Sequence, residues 1–346
     1  MKKVLVAMSG GVDSAAAALI LKNQGLDVAG ITMKLIASDV DTDKSCADAK
    51  RIADDLNISH HIVSYYDTFK EKVINSFLND YRNGNTPNPC VVCNKTIKFG
   101  KLWEDTKALG YSHLATGHYA RILCDTNGEY FIKKAKDEQK DQSYFLWGIR
   151  KEILPFLMLP LGDYTKQEIR ALAEQNGFVN AKKKDSQDIC FINNGDYAEF
   201  IRCNSNCTFQ DGDFIDINGH VIGKHKGIIN YTIGQRKGLE VAFGVPMFVG
   251  KKDALKNTVT LCSDEQLYGD TLTAKSINLF INGTLEHETR LLAKIRYRHT
   301  PAIATVKQID CDTLSVKFDI PQRAIASGQS LVLYDGDTVI GGGIIQ

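Results

Sequence analysis

The chain has 346 residues, of which 43% are hydrophobic and 24% are charged, the balance of an ordinary globular protein. Its apolar runs fall far short of the ~18 residues that a membrane-spanning helix needs, so we expect neither an integral membrane protein nor a membrane partner. A net charge of +1 means that any site for a polyanion must be a local basic patch. Nine cysteines without an export signal predict a cytoplasmic protein, in which thiols are catalytic, metal-binding or buried.

The first third of the chain alternates strand and helix patterns. Short apolar runs predict strands, and segments rich in helix formers or with apolar residues on one side predict helices. The predicted strands are residues 4–7, 28–33, 61–63 and 114–115, and the predicted helices are 15–21, 43–56 and 69–81. This alternation indicates βαβ units in an α/β fold with a doubly wound parallel sheet. Such sheets bind ligands beyond the carboxyl ends of their strands.

The pattern changes in the second half of the chain. Residues 142–180 are predicted to be helical, with Pro155 and Pro160 interrupting the run. From about residue 208, short alternating segments separated by turn residues predict small β domains, with a barrel near 275–346. We therefore predict three domains: a catalytic domain over 1–205, a small β-rich central domain over 206–272 and a C-terminal β-barrel over 273–346.

A glycine- and serine-rich loop, residues 9–14 (Ser-Gly-Gly-Val-Asp-Ser), stands between the first predicted strand and helix. Glycines allow a close approach to a ligand, and the N–H groups at a helix start suit phosphate oxygens. Asp13 could hold Mg²⁺ or cap the helix. The string has neither the Gly-Lys-Ser/Thr ending of a P-loop nor the G-x-G-x-x-G pattern. It resembles the PP-loop of ATP pyrophosphatases, which cleave ATP between the α and β phosphates, although a turn without ligand is the simpler alternative.

Three cysteines lie in settings that suit reactive thiols. Cys90 and Cys93 form a Cys-x-x-Cys pair, and we expect Cys93 near the start of a helix over 94–108, where the helix end and Lys95 would lower the thiol pKa. Cys190 follows the basic run 182–184. The alternative is that Cys90, Cys93 and Cys190 ligate zinc or an iron–sulfur cluster.

The order and spacing of motifs along nearly the whole chain resemble the bacterial-type tRNA-specific 2-thiouridylases. The motifs are at residues 7–14, 31–33, 88–99, 115–121, 140–146, 183–191, 234–239, 296–298 and 327–329. The resemblance implies an ATP pyrophosphatase domain, a central domain and a β-barrel. It implies that the oxygen on carbon 2 of the wobble uridine of tRNA is adenylated with ATP and Mg²⁺ and replaced by sulfur from a persulfide donor or a sulfur-relay protein.

The resemblance also implies roles for individual residues. The implied ATP-binding residues are Ala7, Met8, Ser9, Gly10, Gly11, Val12, Asp13, Ser14, Met33 and Gly117. Those facing the target base are Asn88, Pro89 and Cys90. Cys93 takes the nucleophile position and Cys190 the persulfide position, with a transient disulfide between them. The implied tRNA contacts are His118, Lys140, Asp141, Gln142, Arg296, Tyr297 and Gln329.

One departure from the family pattern leaves the mechanism open. Many members have an aspartate where this chain has Cys90, so a carboxylate is lost and a third thiol is gained. This favours a variant in which Cys90, Cys93 and Cys190 hold a 4Fe–4S cluster that carries sulfide. Two further alternatives are a small-molecule amidating synthetase and a non-catalytic, redox-sensing RNA-binding protein. Among the basic clusters that suit RNA phosphates, Lys251 and Lys252 are interpreted instead as solvated surface.

Overall fold

The computed structural model describes residues 2–36, 40–178, 181, 189–192, 195–205, 207–239 and 244–346. The α-helices of this part of the chain are α1 (Val12–Asn23), α2 (Val40–Asp55), α3 (Tyr66–Phe69), α4 (Asn75–Arg82), α5 (Pro89–Cys93), α6 (Leu102–Ala108), α7 (Lys166–Gln175) and α8 (Tyr197–Asn204). π-Helical segments, Lys70–Ile74 and Asn94–Lys101, join α3 to α4 and α5 to α6. No helix in the described ranges has the length and apolar character needed to cross a bilayer.

The strands are short in the first half of the chain and longer towards the end. They are β1 (Lys3–Ala7), β2 (Asp27–Lys34), β3 (His60–Ser64), β4 (His113–Ala115), β5 (Arg121–Cys124), β6 (Tyr130–Lys133), β7 (Leu157–Met158), β8 (Gly212–Ile215), β9 (Val221–His225), β10 (Phe248–Asp253), β11 (Thr258–Cys262), β12 (Tyr268–Leu279), β13 (Thr289–Lys294), β14 (Ala302–Asp310), β15 (Thr313–Arg323), β16 (Ser330–Asp335) and β17 (Thr338–Ile345).

The chain forms two compact units that interleave in sequence. The first comprises residues 1–73, 90–187 and 336–339, and the second comprises 74–89, 188–335 and 340–346. The second unit therefore includes α4 and the residues that follow it, although these come from the first third of the chain.

A parallel sheet in the order β3-β2-β1-β4-β7 forms the centre of the first unit. In β1, Val4, Leu5 and Val6 are completely buried, which explains why that strand is a continuous apolar run rather than an alternating one. Residues 15–18 of α1 are four fully buried alanines, whose small side chains allow the helix to pack closely on the sheet. The α/β fold with a parallel sheet is confirmed.

Residues 142–180 are less helical than predicted. The segments Ser143–Phe145 and Lys151–Phe156 are 3₁₀-helices, and β7 adds a fifth strand to the sheet. A proline cannot donate an intrahelical hydrogen bond, so Pro155 and Pro160 keep this region from forming one long α-helix. The α-helix α7 begins only after Thr165, whose side chain and backbone exchange hydrogen bonds with Glu168 in a capping box. The hairpin formed by β5 and β6 was not predicted.

The second unit contains two β structures. A four-stranded sheet has the order β10-β11-β8-β9, and a barrel is closed by pairing of β12 with both β15 and β17. In β15, Leu314, Val316 and Phe318 are buried while the residues between them are exposed, the alternation expected of a barrel wall. The C-terminal β-barrel is confirmed. The boundaries of the three predicted domains remain a prediction.

Candidate nucleotide and thiol sites

The loop between β1 and α1 is a tight turn stabilised by its own serines. Gly10 has φ +69°, and a Cβ built there would lie 2.5 Å from the Ser45 carbonyl oxygen, so a side chain does not fit. The Ser14 hydroxyl donates to the Gly11 carbonyl at 3.1 Å and accepts from the Ser9 N–H at 3.1 Å. The turn therefore places the N-terminus of α1 at the carboxyl end of the central strand β1. This is the position where phosphates are expected to bind.

The neighbouring strand β2 is joined to the start of this loop. The Met8 N–H donates to the Ile31 carbonyl at 2.8 Å, and the Thr32 hydroxyl donates to the Met8 carbonyl at 2.8 Å. Met33 follows directly and is partly buried. Met33 and residues 7–14, predicted from separate motifs to bind ATP, therefore lie at adjacent strand ends.

The Asp13 side chain is held by a lysine that the sequence analysis did not identify. Nζ of Lys166, at the start of α7, lies 2.7 and 2.8 Å from the two carboxylate oxygens, and the Tyr119 hydroxyl donates to Oδ1 at 2.8 Å. Lys166 is only 8% exposed. Asp13 was expected either to hold Mg²⁺ or to cap the helix. It makes no side-chain cap at α1, and its carboxylate forms an ion pair with Lys166. Lys166 is 153 positions from Asp13 in the chain, and no sequence signal could have revealed that the two residues pair.

Gly117 packs directly against the loop. A Cβ at this position would lie 2.9 Å from both the Asp13 carbonyl carbon and the Ser14 nitrogen, so only glycine permits this approach. The next residue, His118, is 8% exposed, and its Nδ1 is hydrogen-bonded to the Thr116 hydroxyl at 2.7 Å. Burial, and then the charge of Lys98, holds the pKa of His118 well below its usual value. His118 is therefore a neutral, packed residue, and Gly117 lies against the backbone of the loop.

The predicted tRNA contacts at residues 140–142 have structural partners. Asp141 is 7% exposed and accepts hydrogen bonds from the Ala135 N–H and the Ser143 hydroxyl. The Gln142 side chain accepts from the Tyr119 N–H at 2.9 Å, which ties it to the segment between β4 and β5. Lys140 is partly exposed. Of these three, Lys140 and Gln142 are accessible to a macromolecular ligand, and Asp141 is not.

The helix that carries the cysteine pair begins earlier than predicted. It starts at Pro89, whose missing N–H is tolerated at a first helical position, and continues through the π-helical segment to Ala108. Cys90 therefore occupies the first turn, and Cys93 lies in the second turn and is 8% exposed. Although Cys90 is exposed, the protein around its sulfur raises the pKa of the thiol by desolvation, and the charge of Lys98 opposes this. Cys90, not Cys93, lies where the helix N-terminus acts.

Cys190 lies in the second unit and is exposed. The following residue, Phe191, is buried and packs on Phe77 of α4. The basic run 182–184 that was expected to surround the thiol lies outside the described residues. Among the residues that are described, no group of three or more histidine, cysteine or acidic side chains is arranged to hold a metal ion.

The three predicted tRNA contacts in the barrel all interact with other parts of the protein. The Arg296 guanidinium donates to the carbonyls of Arg323 and Ala324, and Ala324 has a positive φ of 57°. The Lys294 ammonium lies 5.5 Å from the Tyr297 ring centroid. The Gln329 amide donates to the Thr86 carbonyl at 2.7 Å, so Gln329 contacts the segment that leads to Asn88 and Pro89.

Comparison with known proteins covers the full chain. Three family models match in succession: a tRNA methyl transferase HUP domain over residues 2–194, a tRNA methyl transferase PRC-barrel domain over 200–263 and an aminomethyltransferase beta-barrel domain over 269–345. A protein of Clostridioides difficile, named tRNA-specific 2-thiouridylase MnmA, is 45% identical over 100% of this chain and 98% of its own length. The chain belongs to the tRNA-specific 2-thiouridylase family.

Other members of the 2-thiouridylase family show the same extent of similarity. MnmA of Clostridium acetobutylicum is 45% identical and MnmA of Acetivibrio thermocellus is 43% identical, each over 100% of this chain and 99% of the relative. The resemblance inferred from the motifs is confirmed. The match to the HUP-domain model supports the use of ATP by this chain, as in PP-loop proteins.

Proposed function

We propose that this protein is an ATP-dependent tRNA uridine 2-sulfurtransferase, a cytoplasmic tRNA-modifying enzyme. It adenylates the oxygen on carbon 2 of the wobble uridine and replaces it with sulfur. The observation that carries the proposal is the tight Ser-Gly-Gly loop at the start of α1, with Gly117 against it and Lys166 beside it. The choice of uridine in tRNA as the substrate is supported by the names of the full-length relatives. Residues 1–205 would perform the chemistry, while 206–272 and 273–346 would help to bind RNA.

The oxygen on carbon 2 of uridine is a poor leaving group, and adenylation converts it into a good one. The loop N–H groups and the hydroxyls of Ser9 and Ser14 would bind the phosphates, with Met33 and Gly117 beside the nucleotide. Lys166 is placed to neutralise phosphate charge, because its ammonium already lies at the loop. Asp13 is a hard oxygen ligand of the kind that Mg²⁺ prefers, and the metal would stabilise the pyrophosphate leaving group.

The sulfur steps use two thiols. The terminal sulfur of a Cys190 persulfide attacks carbon 2 and displaces AMP, which leaves the base joined to Cys190 through a disulfide. The Cys93 thiolate then attacks the Cys190 sulfur, so that the base leaves as 2-thiouridine and a Cys93–Cys190 disulfide remains. Two further thiols, supplied by an external reductant, reopen it, and a persulfide donor or relay protein recharges Cys190.

The RNA side of the proposal rests on flipping the wobble base out of the anticodon loop. Asn88, Pro89 and Cys90 would face the flipped base. Because desolvation raises the pKa of Cys90, its thiol is a neutral group and does not replace the negative charge of an aspartate. Lys140, Gln142, Arg296 and Tyr297 are the accessible candidates for contact with tRNA. Gln329 is proposed to act on the protein segment that it contacts, and His118 and Asp141 to act through packing.

The iron–sulfur variant fits the described residues less well. A cluster needs thiolates, whereas the surroundings of Cys90 favour its protonated form. The full-length relatives are named for tRNA 2-thiolation, and this supports thiolation over an amidating synthetase.

One experiment tests the function and its variant together. The purified protein is incubated with unmodified tRNA, ATP, Mg²⁺ and a persulfide donor, and nucleosides are analysed by mass spectrometry alongside pyrophosphate release. We expect 2-thiouridine at the wobble position and pyrophosphate release that depends on tRNA. Cys190→Ser should abolish thiolation, whereas Cys207→Ser, at another exposed cysteine of the same unit, should not. Normal thiolation by Cys190→Ser, or activity that tracks iron content after anaerobic purification, would overturn the persulfide assignment.

A further inference from the structure

Residues 84–87, here called the anchor segment, connect the turn after α4 to Asn88 and Pro89. The barrel holds this segment through three consecutive residues. The Thr86 N–H donates to the Ser327 carbonyl at 2.8 Å, and the Gln329 amide donates to the Thr86 carbonyl at 2.7 Å. Between them, a Cβ on Gly328 would lie 2.9 Å from Cβ of Asn85, so the two backbones are in direct contact.

A lysine from the four-stranded sheet of the second unit also contacts the anchor segment. Nζ of Lys252, in β10, donates to the Asn85 carbonyl at 3.4 Å and lies 5.7 Å from the Tyr81 ring centroid. Tyr81 is itself 5% exposed and packs on Tyr197. The interpretation of Lys252 as solvated surface is wrong: Lys251 is exposed, whereas Lys252 is partly buried.

The environment of Lys252 is unusual for an ammonium group. Among the residues that the structure describes, its partners are a carbonyl and an aromatic ring, and no acidic side chain forms an ion pair with it. Desolvation lowers its pKa to about 8. A charge removed from water without an anionic partner opposes folding. Lys252 stabilises the fold poorly but contacts the Asn85 carbonyl, three residues before the first base-facing residue, so it is suited to positioning.

We propose that Lys252 is a positioning residue that, with Gln329, holds the anchor segment so that Asn88, Pro89 and Cys90 are presented to the target base. The inference rests on the proposed function for its readout. It assigns to Gln329 an indirect effect on tRNA, since its amide is directed at the Thr86 and Pro87 carbonyls. It assigns to Lys252 a role that its neighbour Lys251 does not share.

The test compares Lys252→Met with Lys251→Met, which differ by one position on the same strand. We expect Lys252→Met to lower kcat for tRNA thiolation by about tenfold or more, because misplaced reacting groups lose rate steeply. The dissociation constant for tRNA should change by less than about twofold. Hydrogen exchange in a peptide covering residues 83–90 should accelerate, and the melting temperature should stay level or rise because a desolvated charge is removed. Lys251→Met should match the wild type in all four measurements.

Gln329→Leu provides a second, independent variant, since it removes the donor to Thr86 and leaves Lys252 in place. It should also lower kcat and accelerate exchange at residues 83–90. The proposal is overturned if Lys252→Met thiolates as fast as Lys251→Met, or if its loss of activity follows weaker tRNA binding, as for a phosphate contact. If the wild type thiolates no tRNA, the proposed function fails instead, while hydrogen exchange still decides whether Lys252 anchors the segment.

Discussion

Phe77 and Phe191 meet edge to face, with ring centroids 5.4 Å apart and planes at 87°. Phe200 of α8 completes the cluster, with its centroid 5.1 Å from that of Phe191. Phe191 directly follows Cys190, and Phe77 lies on α4, whose C-terminal end leads into the anchor segment. One short helix therefore supports the residue next to the proposed sulfur carrier and the chain that reaches the base-facing residues, both within the second unit.

Lys166 is expected to be essential for the nucleotide step. Lys166→Met leaves the Asp13 carboxylate at the loop without its cation and removes the charge placed to meet the phosphates. Removal of one preorganised electrostatic group of this kind costs about a hundredfold in rate. Pyrophosphate release in the presence of tRNA should fall by about that factor. Lys136→Met, which loses only an exposed pair with Glu168, serves as the control, and equal rates in the two variants would contradict the role of Lys166.

Gly117 is expected to tolerate no side chain. In Gly117→Ala, the new Cβ would lie 2.9 Å from the backbone of Asp13 and Ser14, so the loop between β1 and α1 must shift. We expect the KM for ATP to rise by about tenfold, measured by pyrophosphate release at saturating tRNA. Gly148→Ala, where the nearest atom is 3.6 Å away, is the matched control. An unchanged KM for ATP in Gly117→Ala would show that the loop does not contact the nucleotide as proposed.

The pKa of Lys252 predicts how stability depends on pH. Its folded-state pKa is about 8, below the ordinary lysine value of 10.5. Between these values the unfolded chain binds a proton that the folded chain has released, so the free energy of unfolding rises with pH, by at most about 1.4 kcal/mol per unit. Below pH 8 both states are protonated, and the full cost of the buried charge is present.

Denaturant unfolding of the wild type and Lys252→Met between pH 7 and 9.5 measures this dependence. Because the two proteins differ at one side chain, the difference between them isolates the contribution of Lys252. We expect the wild type to gain stability relative to the variant as pH rises through 8. A constant difference across this range would mean that Lys252 is not desolvated.

Local patterns were sufficient to predict the parallel sheet and the tight turn between β1 and α1. Buried strands such as β1 are continuous apolar runs, and the Ser-Gly-Gly turn combines special backbone conformations with a helix start. Residues 142–180 were predicted to be more helical than they are. Their apolar residues pack into the core without continuous helical hydrogen bonding around Pro155 and Pro160. The helix was predicted to begin at residue 94, but it starts at Pro89, a residue well suited to a first helical position.

The long-range pairs could not be predicted from a single sequence. Lys166 and Asp13 are 153 positions apart, and nothing local distinguishes Lys166 from a surface lysine. Lys252 differs from Lys251 only in the side of the strand on which it lies and in what packs there. The proposed roles of the individual site residues remain predictions, to be decided by the variants described above.

The interleaving of the two units has a consequence for biosynthesis. Helix α4 emerges from the ribosome more than a hundred residues before Phe191 and Phe200, and further ahead still of Lys252 and Gln329. At bacterial-type elongation rates of roughly 5–20 residues per second, its apolar face waits on the order of ten seconds for these partners. A nascent chain that ends before residue 190 therefore exposes Phe77, Leu78 and Tyr81, and a fragment truncated there should need a chaperone to remain dispersed.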